Sequence, residues 1–168
     1  DYYGAQAFGL LLTQAKKTAN HHLMVAYQLQ NTLSEFGSVN RGLCQFNAEH
    51  NLEQIEECEN IIQHKDKITG KLGVEGRIVE LDKDTLISMN CWLFNIDILP
   101  FLTQEIRDIL QQPNMPKTEC YLPNVVMKQI VQQQKKVTVL KTSEQWFGLT
   151  YQQDCQSVSE KIDAILTK

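Results

Sequence analysis

The segment from Thr85 to Phe94 restricts the possible folds of this chain more than any other stretch. It is mostly apolar and rich in β-forming residues, which is typical of a central strand covered on both faces. Amphipathic patterns with helical spacing occur before and after it, at about 4–18, 98–110, 122–134 and 150–166. Strands and helices that alternate in this way predict an α/β fold, a mixed sheet flanked by helices.

Shorter apolar segments add further predicted strands at 23–29, 43–46, 52–56, 74–81 and 137–140. Polar residues 47–51 predict a hairpin turn between two of them, and the polar stretch 31–42, with two glycines, predicts an ordered loop. His21 and His22 are adjacent, and we expect this pair to face solvent.

Two further patterns concern the surface and the last helix. The dense glutamates of one hairpin arm predict a solvated face; they are Glu53, Glu56, Glu57 and Glu59. The final helix, with Thr150 as its predicted N-cap, should bury one apolar stripe. The members of that stripe are Cys155, Val158, Ile162, Ile165 and Leu166.

Composition excludes several classes of protein. With 168 residues, 42% of them hydrophobic, the chain predicts one globular domain over 1–168. The net charge is −4 and lysines cluster only in pairs, so we expect no nucleic-acid partner. No apolar run approaches the ~20 residues of a membrane helix, so we expect no membrane partner. Five cysteines without a Cys-x-x-Cys pair predict reduced structural thiols and a cytoplasmic protein.

Common catalytic motifs do not occur in the sequence. It has no Walker-type loop, no G-x-S-x-G elbow and no H-E-x-x-H pair. Gly70, Gly73 and Gly76 repeat at three-residue spacing but do not follow a suitable strand. We therefore interpret these glycines as loop residues rather than as a phosphate-binding loop.

Four longer motifs occur in a fixed order. They are N-T-L-S-E-F-G-S-V-N-R-G at 31–42, S-M-N-C-W-L-F at 88–94, E-C-Y-L-P-N-V-V at 119–126 and W-F-G-L-T-Y-Q-Q-D at 146–154. Together they resemble a family of bacterial sugar-phosphate nucleotidyltransferases, which carry N-T-L-S-E-x-G-x-V-x-R-G, S-M-N-x-W-x-F, E-x-Y-L-P-x-V-V and W-F-G-V-T-Y-x-x-D. The resemblance covers nearly the whole chain.

The resemblance implies a nucleotidyltransferase-type, Rossmann-like sheet of which this chain is the later, sugar-binding half. The opening Asp1-Tyr2-Tyr3-Gly4 is similar to the segment directly after the family's strand ending in Asn-Ala-Asp-Asp. The first strands, and the glycine-rich loop that holds the nucleotide, would then lie upstream. By itself such a half is expected to be inactive in transfer, and its open sheet edge predicts self-association into a homo-oligomer.

The implied reaction joins a nucleotide to a sugar phosphate. An oxygen of the sugar 1-phosphate attacks the α-phosphorus of a nucleoside triphosphate in line, and pyrophosphate leaves. Enzymes of this type position the reactants and neutralise charge with Mg²⁺ and basic residues. The implied ligands of the intact protein are therefore a nucleotide, a sugar phosphate and Mg²⁺.

Five residues match acceptor-side positions of the family. Gly37 would lie where the chain passes close to the sugar, and Glu57, at the end of the hairpin, would bind sugar hydroxyls. Asn90, at the outgoing end of the central strand, would bind a hydroxyl or phosphate. Arg41 would neutralise a phosphate, with a surface ion pair as the equal alternative. Glu119 would contact the sugar or support a residue that does.

The metal site is only partly represented in this sequence. The resemblance places one metal-binding aspartate at or just before Asp1. Many relatives have a second aspartate in a Trp-x-Asp pattern, but Gly148 occupies that position here. We expect Asp154 to support the first turn of the final helix instead.

Two alternatives to an enzyme remain. A related domain that binds nucleotide sugars without turning them over would account for Gly148 and for the missing loop. A plain interaction domain would use the exposed sheet edge to bind a partner or a second copy.

Overall fold

Seven strands form one open, mixed sheet in the computed structural model, which describes residues 2, 4–18, 20–111, 120–149 and 151–167. In chain order they are β1 (His22–Gln28), β2 (Val39–Phe46), β3 (Leu52–His64), β4 (Lys67–Leu72), β5 (Arg77–Leu81), β6 (Leu86–Leu93) and β7 (Val137–Thr142). Their spatial order is β5-β4-β3-β2-β6-β1-β7. Strands β1 and β7 run parallel and the other neighbours antiparallel. The sheet is therefore mixed, as predicted.

Helices cover both faces of the central strands. They are α1 (Ala5–Ala15), α2 (Ile98–Leu110), α3 (Leu122–Gln133) and α4 (Asp154–Leu166), with a 3-10 turn at Leu29–Thr32. Leu23, Val25 and Tyr27 of β1 pack in the same cluster as α1, whereas Met24 and Ala26 pack with α2 and α3. This alternation along one strand confirms the predicted α/β architecture.

The core is deepest at β1. Every residue from His22 to Tyr27 is buried, and burial of a large apolar side chain stabilises the fold by about 1.5–3 kcal/mol. Strand β6 lies between β2 and β1, which confirms the central position predicted for Thr85 to Phe94. The five cysteines are free thiols, also as predicted. Within the described residues, no helix has the length and apolar character needed to cross a membrane.

The strands beyond the centre of the sheet differ from their predicted bounds: β5 begins at Arg77 and is shorter than predicted, and the hairpin strands are longer. Strand β2 begins inside the stretch interpreted as a loop, β3 continues to His64, and β4 was not predicted. Gly70, interpreted as a loop residue, lies within β4 and pairs with Val79 of β5. A Cβ atom there would be 2.5 Å from the sulfur of Cys58, which explains why this strand position is a glycine. Gly73 and Gly76 do lie in a turn, and both have positive φ.

Two predictions about burial are wrong. His22 is completely buried, because its ring is hydrogen-bonded inside the protein rather than hydrated. The apolar residues of α4 are largely exposed: Ile162 and Ile165 are about 40% exposed and Leu166 is 77% exposed. They border an open groove beside Phe147 instead of lying beneath another layer.

Candidate functional site

A cavity of about 260 Å³ lies where β2 passes between β3 and β6. Three residues singled out in the sequence, Arg41, Glu57 and Asn90, meet there from three different strands. We call this cavity the β2–β6 pocket. Its lining consists of Asn40, Arg41, Gly42, Ile55, Glu57, Ser88, Met89, Asn90, Pro123 and Trp146.

Strand register brings two of the polar side chains to one face of the sheet, on either side of Gly42. Gly42 pairs with Glu57 on β3 and with Ser88 on β6, and directly paired residues project to the same face of a sheet. A Cβ atom on Gly42 would lie 2.6 Å from a methyl carbon of Ile55. The glycine thus lets the strands pack closely between the two polar side chains.

Asn90 reaches the pocket because β6 bulges. Val25 of β1 pairs with Cys91 but the next residue, Ala26, pairs with Ser88, so two residues of β6 are extra. One of them, Asn90, has a φ of 56°, a conformation that asparagine tolerates better than most residues. Its Oδ1 accepts a hydrogen bond of 3.3 Å from the indole of Trp92. Asn90 therefore lies within the strand, at the bulge, rather than at the outgoing end predicted.

Arg41 is a buried cation at the inner wall of the pocket. It is only 9% exposed, and its guanidinium donates to the carbonyl oxygens of Thr32 (2.5 Å) and Asn40 (2.8 Å). It also lies over the ring of Trp146, 5.2 Å from its centre. No carboxylate of the described residues lies within ion-pair distance of it, so the predicted alternative of a surface ion pair is wrong.

Burial makes the charge of Arg41 costly. Desolvation lowers the pKa of Arg41 to about 10, although the nearby Glu57 favours the charged form. The side chain nevertheless remains protonated at neutral pH. A buried cation that is bonded only to neutral groups favours binding of an anion nearby.

Glu57 is the acidic side chain of the pocket. It lies in the middle of β3 rather than at the end of the hairpin, and its side chain is exposed. Partial desolvation and the neighbouring Glu59 raise its pKa, and Arg41 opposes them. A carboxylate in this position can accept hydrogen bonds from the hydroxyl groups of a ligand.

Gly37 does not line this pocket. Gly37 packs against Tyr151, whose ring would lie within 2.7 Å of an added Cβ atom and whose hydroxyl donates to the carbonyl oxygen of Ser38. That contact explains the glycine without a ligand, so its role near a sugar stays a prediction. Glu119 and Asp1 lie outside the described residues. Asp154 lies in the first turn of α4, as predicted, where its negative charge favours the helix N-terminus, and it accepts a hydrogen bond of 2.6 Å from the backbone N–H of Tyr151 just before the helix.

The described residues do not fit a resident Mg²⁺ ion. Glu57 is the acidic side chain of the pocket, and position 148 is glycine. In the described part of the chain, no three histidine, cysteine or acidic side chains lie together as metal ligands. A divalent cation needs several oxygen ligands, and the described residues of the pocket do not provide such a set.

Ser88 and Trp146 are among the pocket residues that had not been identified as site residues from the sequence. Ser88 precedes Asn90 in the S-M-N motif, and its pairing with Gly42 places it beside the pocket. Trp146 begins the W-F-G motif and stacks on Arg41. For Trp146 the signal was its place in a motif; for Ser88 it was strand register, which needs the sheet order.

Comparison of the sequence with models of known protein families gives no match, and comparison with curated proteins gives none either.

Proposed function

We propose that this chain forms the acceptor side of a nucleotidyltransferase and binds a sugar 1-phosphate, or a similar phosphorylated alcohol, in the β2–β6 pocket. The observation that carries the proposal is the meeting of Arg41, Glu57 and Asn90 in one cavity. Arg41 and Asn90 were selected from two of the motifs and Glu57 from its match to the family's hairpin, and β6 is separated in sequence from the β2–β3 hairpin by β4 and β5. The motif resemblance to a nucleotidyltransferase-type, Rossmann-like fold supports the same assignment.

The three side chains suit the two ends of such a ligand. Arg41 is a buried cation whose hydrogen bonds, among the residues that the structure describes, go to neutral groups, so it is suited to hold the phosphate. Glu57 accepts hydrogen bonds from sugar hydroxyls, and the amide of Asn90 can donate to an oxygen of the ligand. A cavity of about 260 Å³ is close to the lower end of small-molecule sites and suits a monosaccharide phosphate.

The proposed chemistry needs little from the protein besides positioning. An oxygen of the bound sugar phosphate attacks the α-phosphorus of a nucleoside triphosphate and forms a new P–O bond. The bond to the β-phosphate breaks, and its electron pair leaves with pyrophosphate. Arg41 would fix the attacking phosphate and balance part of its charge, which lowers the barrier by orientation and electrostatics.

Acceptor binding is tested by calorimetric titration of this chain with glucose 1-phosphate, with glucose and inorganic phosphate titrated separately. We expect glucose 1-phosphate to bind best, and the substitutions Glu57→Gln and Asn90→Gly to weaken its binding. Glu53→Gln is the matched control, because Glu53 is exposed on the same strand and does not line the pocket. Equal weakening by the control, or no binding of any sugar phosphate, would contradict the acceptor assignment.

Transfer is tested on the full-length gene product. We expect pyrophosphate release when a nucleoside triphosphate and a sugar 1-phosphate are supplied together with Mg²⁺, and none when either substrate is left out. If no pyrophosphate were released with any member of a panel of nucleotides and sugar 1-phosphates, this would count against transfer.

A second candidate function is binding of a nucleotide sugar without catalysis. Gly148 at the position of the relatives' aspartate favours it, since one acidic ligand is then missing. This candidate predicts that a nucleotide sugar raises the melting temperature of the full-length protein while pyrophosphate release stays at background. A ligand at a hundred times its dissociation constant stabilises the folded state by ~2.7 kcal/mol, which such a measurement detects.

A further inference from the structure

A second cavity, of about 550 Å³, lies next to the β2–β6 pocket. Arg41 and Trp146 line both cavities, and the rest of the lining is different. The walls of the second cavity come from residues 30 and 32–36, Arg41 of β2, the end of β3 and the turn after it, residues 145–148 and the first turns of α4. We call it the Lys65–Lys161 cavity, after the two lysines in its lining.

The charge of this cavity is positive. Arg41, Lys65 and Lys161 face two carboxylates, Glu35 and Asp154. Asp154 is already engaged, because it accepts hydrogen bonds from the backbone N–H of Tyr151 and from the hydroxyl of Ser34. The lining therefore carries three cations and two carboxylates, which leaves one positive charge in excess around an open space.

The two lysines of the cavity differ from several others in the chain. Lys67, Lys128, Lys135 and Lys136 each lie within 4.0 Å of a carboxylate. In the described part of the chain, neither Lys65 nor Lys161 has such a partner. Lys161 is partly buried and lies 5.6 Å from the centre of the Phe147 ring, which holds its ammonium group beside the cavity.

The other walls offer hydrogen bonds and an aromatic surface. Thr32, Ser34 and Ser157 bring hydroxyl groups, and Gln63 brings an amide. The ring of Phe36 is 47% exposed at the cavity, so one wall is apolar and flat. A cavity of this volume is within the usual range for small-molecule sites.

We propose that the Lys65–Lys161 cavity is a second ligand site, which takes a small organic phosphate. Lysine ammonium groups bind phosphate as point charges, and together Lys65, Lys161 and Arg41 would balance its negative charge. The hydroxyl groups and Gln63 bind the remaining oxygens, and a planar part of the ligand lies against Phe36. Arg41 lines both cavities, so the two sites share this cation, whereas Lys65 and Lys161 belong to the Lys65–Lys161 cavity and do not line the β2–β6 pocket.

The test is a titration of this chain with ribose 5-phosphate and with adenosine monophosphate, in which binding is measured by NMR or calorimetry. We expect the double substitution Lys65→Ala/Lys161→Ala to weaken binding of both probes by about tenfold or more. The charge-matched control is Lys67→Ala/Lys136→Ala, which removes two lysines that do not line the cavity. We expect the control to leave affinity unchanged, and Phe36→Ala to weaken adenosine monophosphate more than ribose 5-phosphate.

Three outcomes would overturn this site. The first is unchanged affinity of the Lys65/Lys161 variant, and the second is equal weakening by the charge-matched control. The third is weakening by Glu57→Gln but not by the lysine variant, which would move the bound phosphate to the β2–β6 pocket. Conversely, phosphate binding that needs Lys65 and Lys161 and ignores Glu57→Gln supports this site even if no sugar phosphate binds at Glu57.

Discussion

Two buried basic side chains, His22 and Arg41, have different surroundings in the fold. His22 has both ring nitrogens bonded within the protein: Nδ1 accepts from the backbone N–H of Asn95 at 3.0 Å, and Nε2 is 2.8 Å from Oε1 of Gln129. Arg41 is bonded to two backbone carbonyls and lies over an indole ring, with no carboxylate of the described residues in ion-pair distance. His22 is enclosed by its protein partners, whereas Arg41 lines two cavities.

This comparison distinguishes polar contacts that stabilise the fold from a polar group that is available to bind a ligand. The bonds of His22 tie β1 to the segment before α2 and to α3, so they join three parts of the fold. Burial lowers the pKa of His22, which keeps the ring neutral and suited to these contacts. Arg41 keeps its charge at a cost in desolvation, which a bound anion would offset. We therefore expect His22 to matter for stability and Arg41 for binding.

The largest expected effect is on stability, from His22→Ala. The substitution leaves the N–H of Asn95 and the buried Gln129 without the imidazole and creates a cavity beside β1, which costs roughly 2–4 kcal/mol. Denaturant unfolding measures this loss. Affinity for glucose 1-phosphate should stay within about twofold, because His22 does not line the β2–β6 pocket. A stable variant that no longer bound the sugar phosphate would reverse the roles assigned to the two residues.

Arg41→Gln should show the opposite pattern. Losing hydrogen bonds from a charged group costs about 1.5–3 kcal/mol of binding energy, so affinity for glucose 1-phosphate should fall about 10- to 100-fold. Stability should change less than in His22→Ala, because removing the buried charge also removes its desolvation cost. Calorimetric titration of this variant measures the expected loss of affinity, and denaturant unfolding measures the change in stability. A large loss of stability with unchanged affinity would make Arg41 a structural residue.

The sequence predicted the fold more completely than the site, and the reason is physical. Periodicity reports which side of an element is buried, so β1, the centre of β6 and the helices α1 to α3 were predicted close to their observed bounds. Periodicity does not reveal which residues outside the element contact it. The hydrogen bonds that bury His22 and the close packing that requires Gly70 in β4 come from distant residues and are invisible to local pattern.

The site shows the same division. The family resemblance identified Arg41, Glu57 and Asn90, but only the sheet order β3-β2-β6 reveals that they meet in one cavity. The bulge in β6 depends on the pairing with β1, so no periodicity could predict it. The apolar stripe of α4 was predicted to be buried because amphipathicity shows which face is apolar, not whether another layer covers it.

Asn90 offers a smaller test, because its backbone and its amide can be separated. A residue with a Cβ atom and a φ of 56° is strained unless its side chain compensates, so Asn90→Ala should lose about 1–2 kcal/mol of stability. Asn90→Gly removes the strain and should stay within about 0.5 kcal/mol of wild type. Both substitutions remove the amide and should weaken sugar-phosphate binding alike. If only Asn90→Ala weakened binding, the bulge rather than the amide would matter to the ligand.

The smallest expected effect is the dependence of stability on pH at Glu57. Its pKa is raised in the folded protein, mainly by desolvation, so ionised Glu57 reduces stability at neutral pH. As the pH falls through the raised pKa toward the ordinary value of about 4.3, the folded state takes up the proton first and this penalty disappears. Glu57→Gln should therefore be slightly more stable than wild type at neutral pH, with the difference closing on acidification. Unfolding of both proteins over this pH range checks the sign, and a Glu57→Gln protein that is less stable at neutral pH would mean that the carboxylate stabilises Arg41 more than its own desolvation costs.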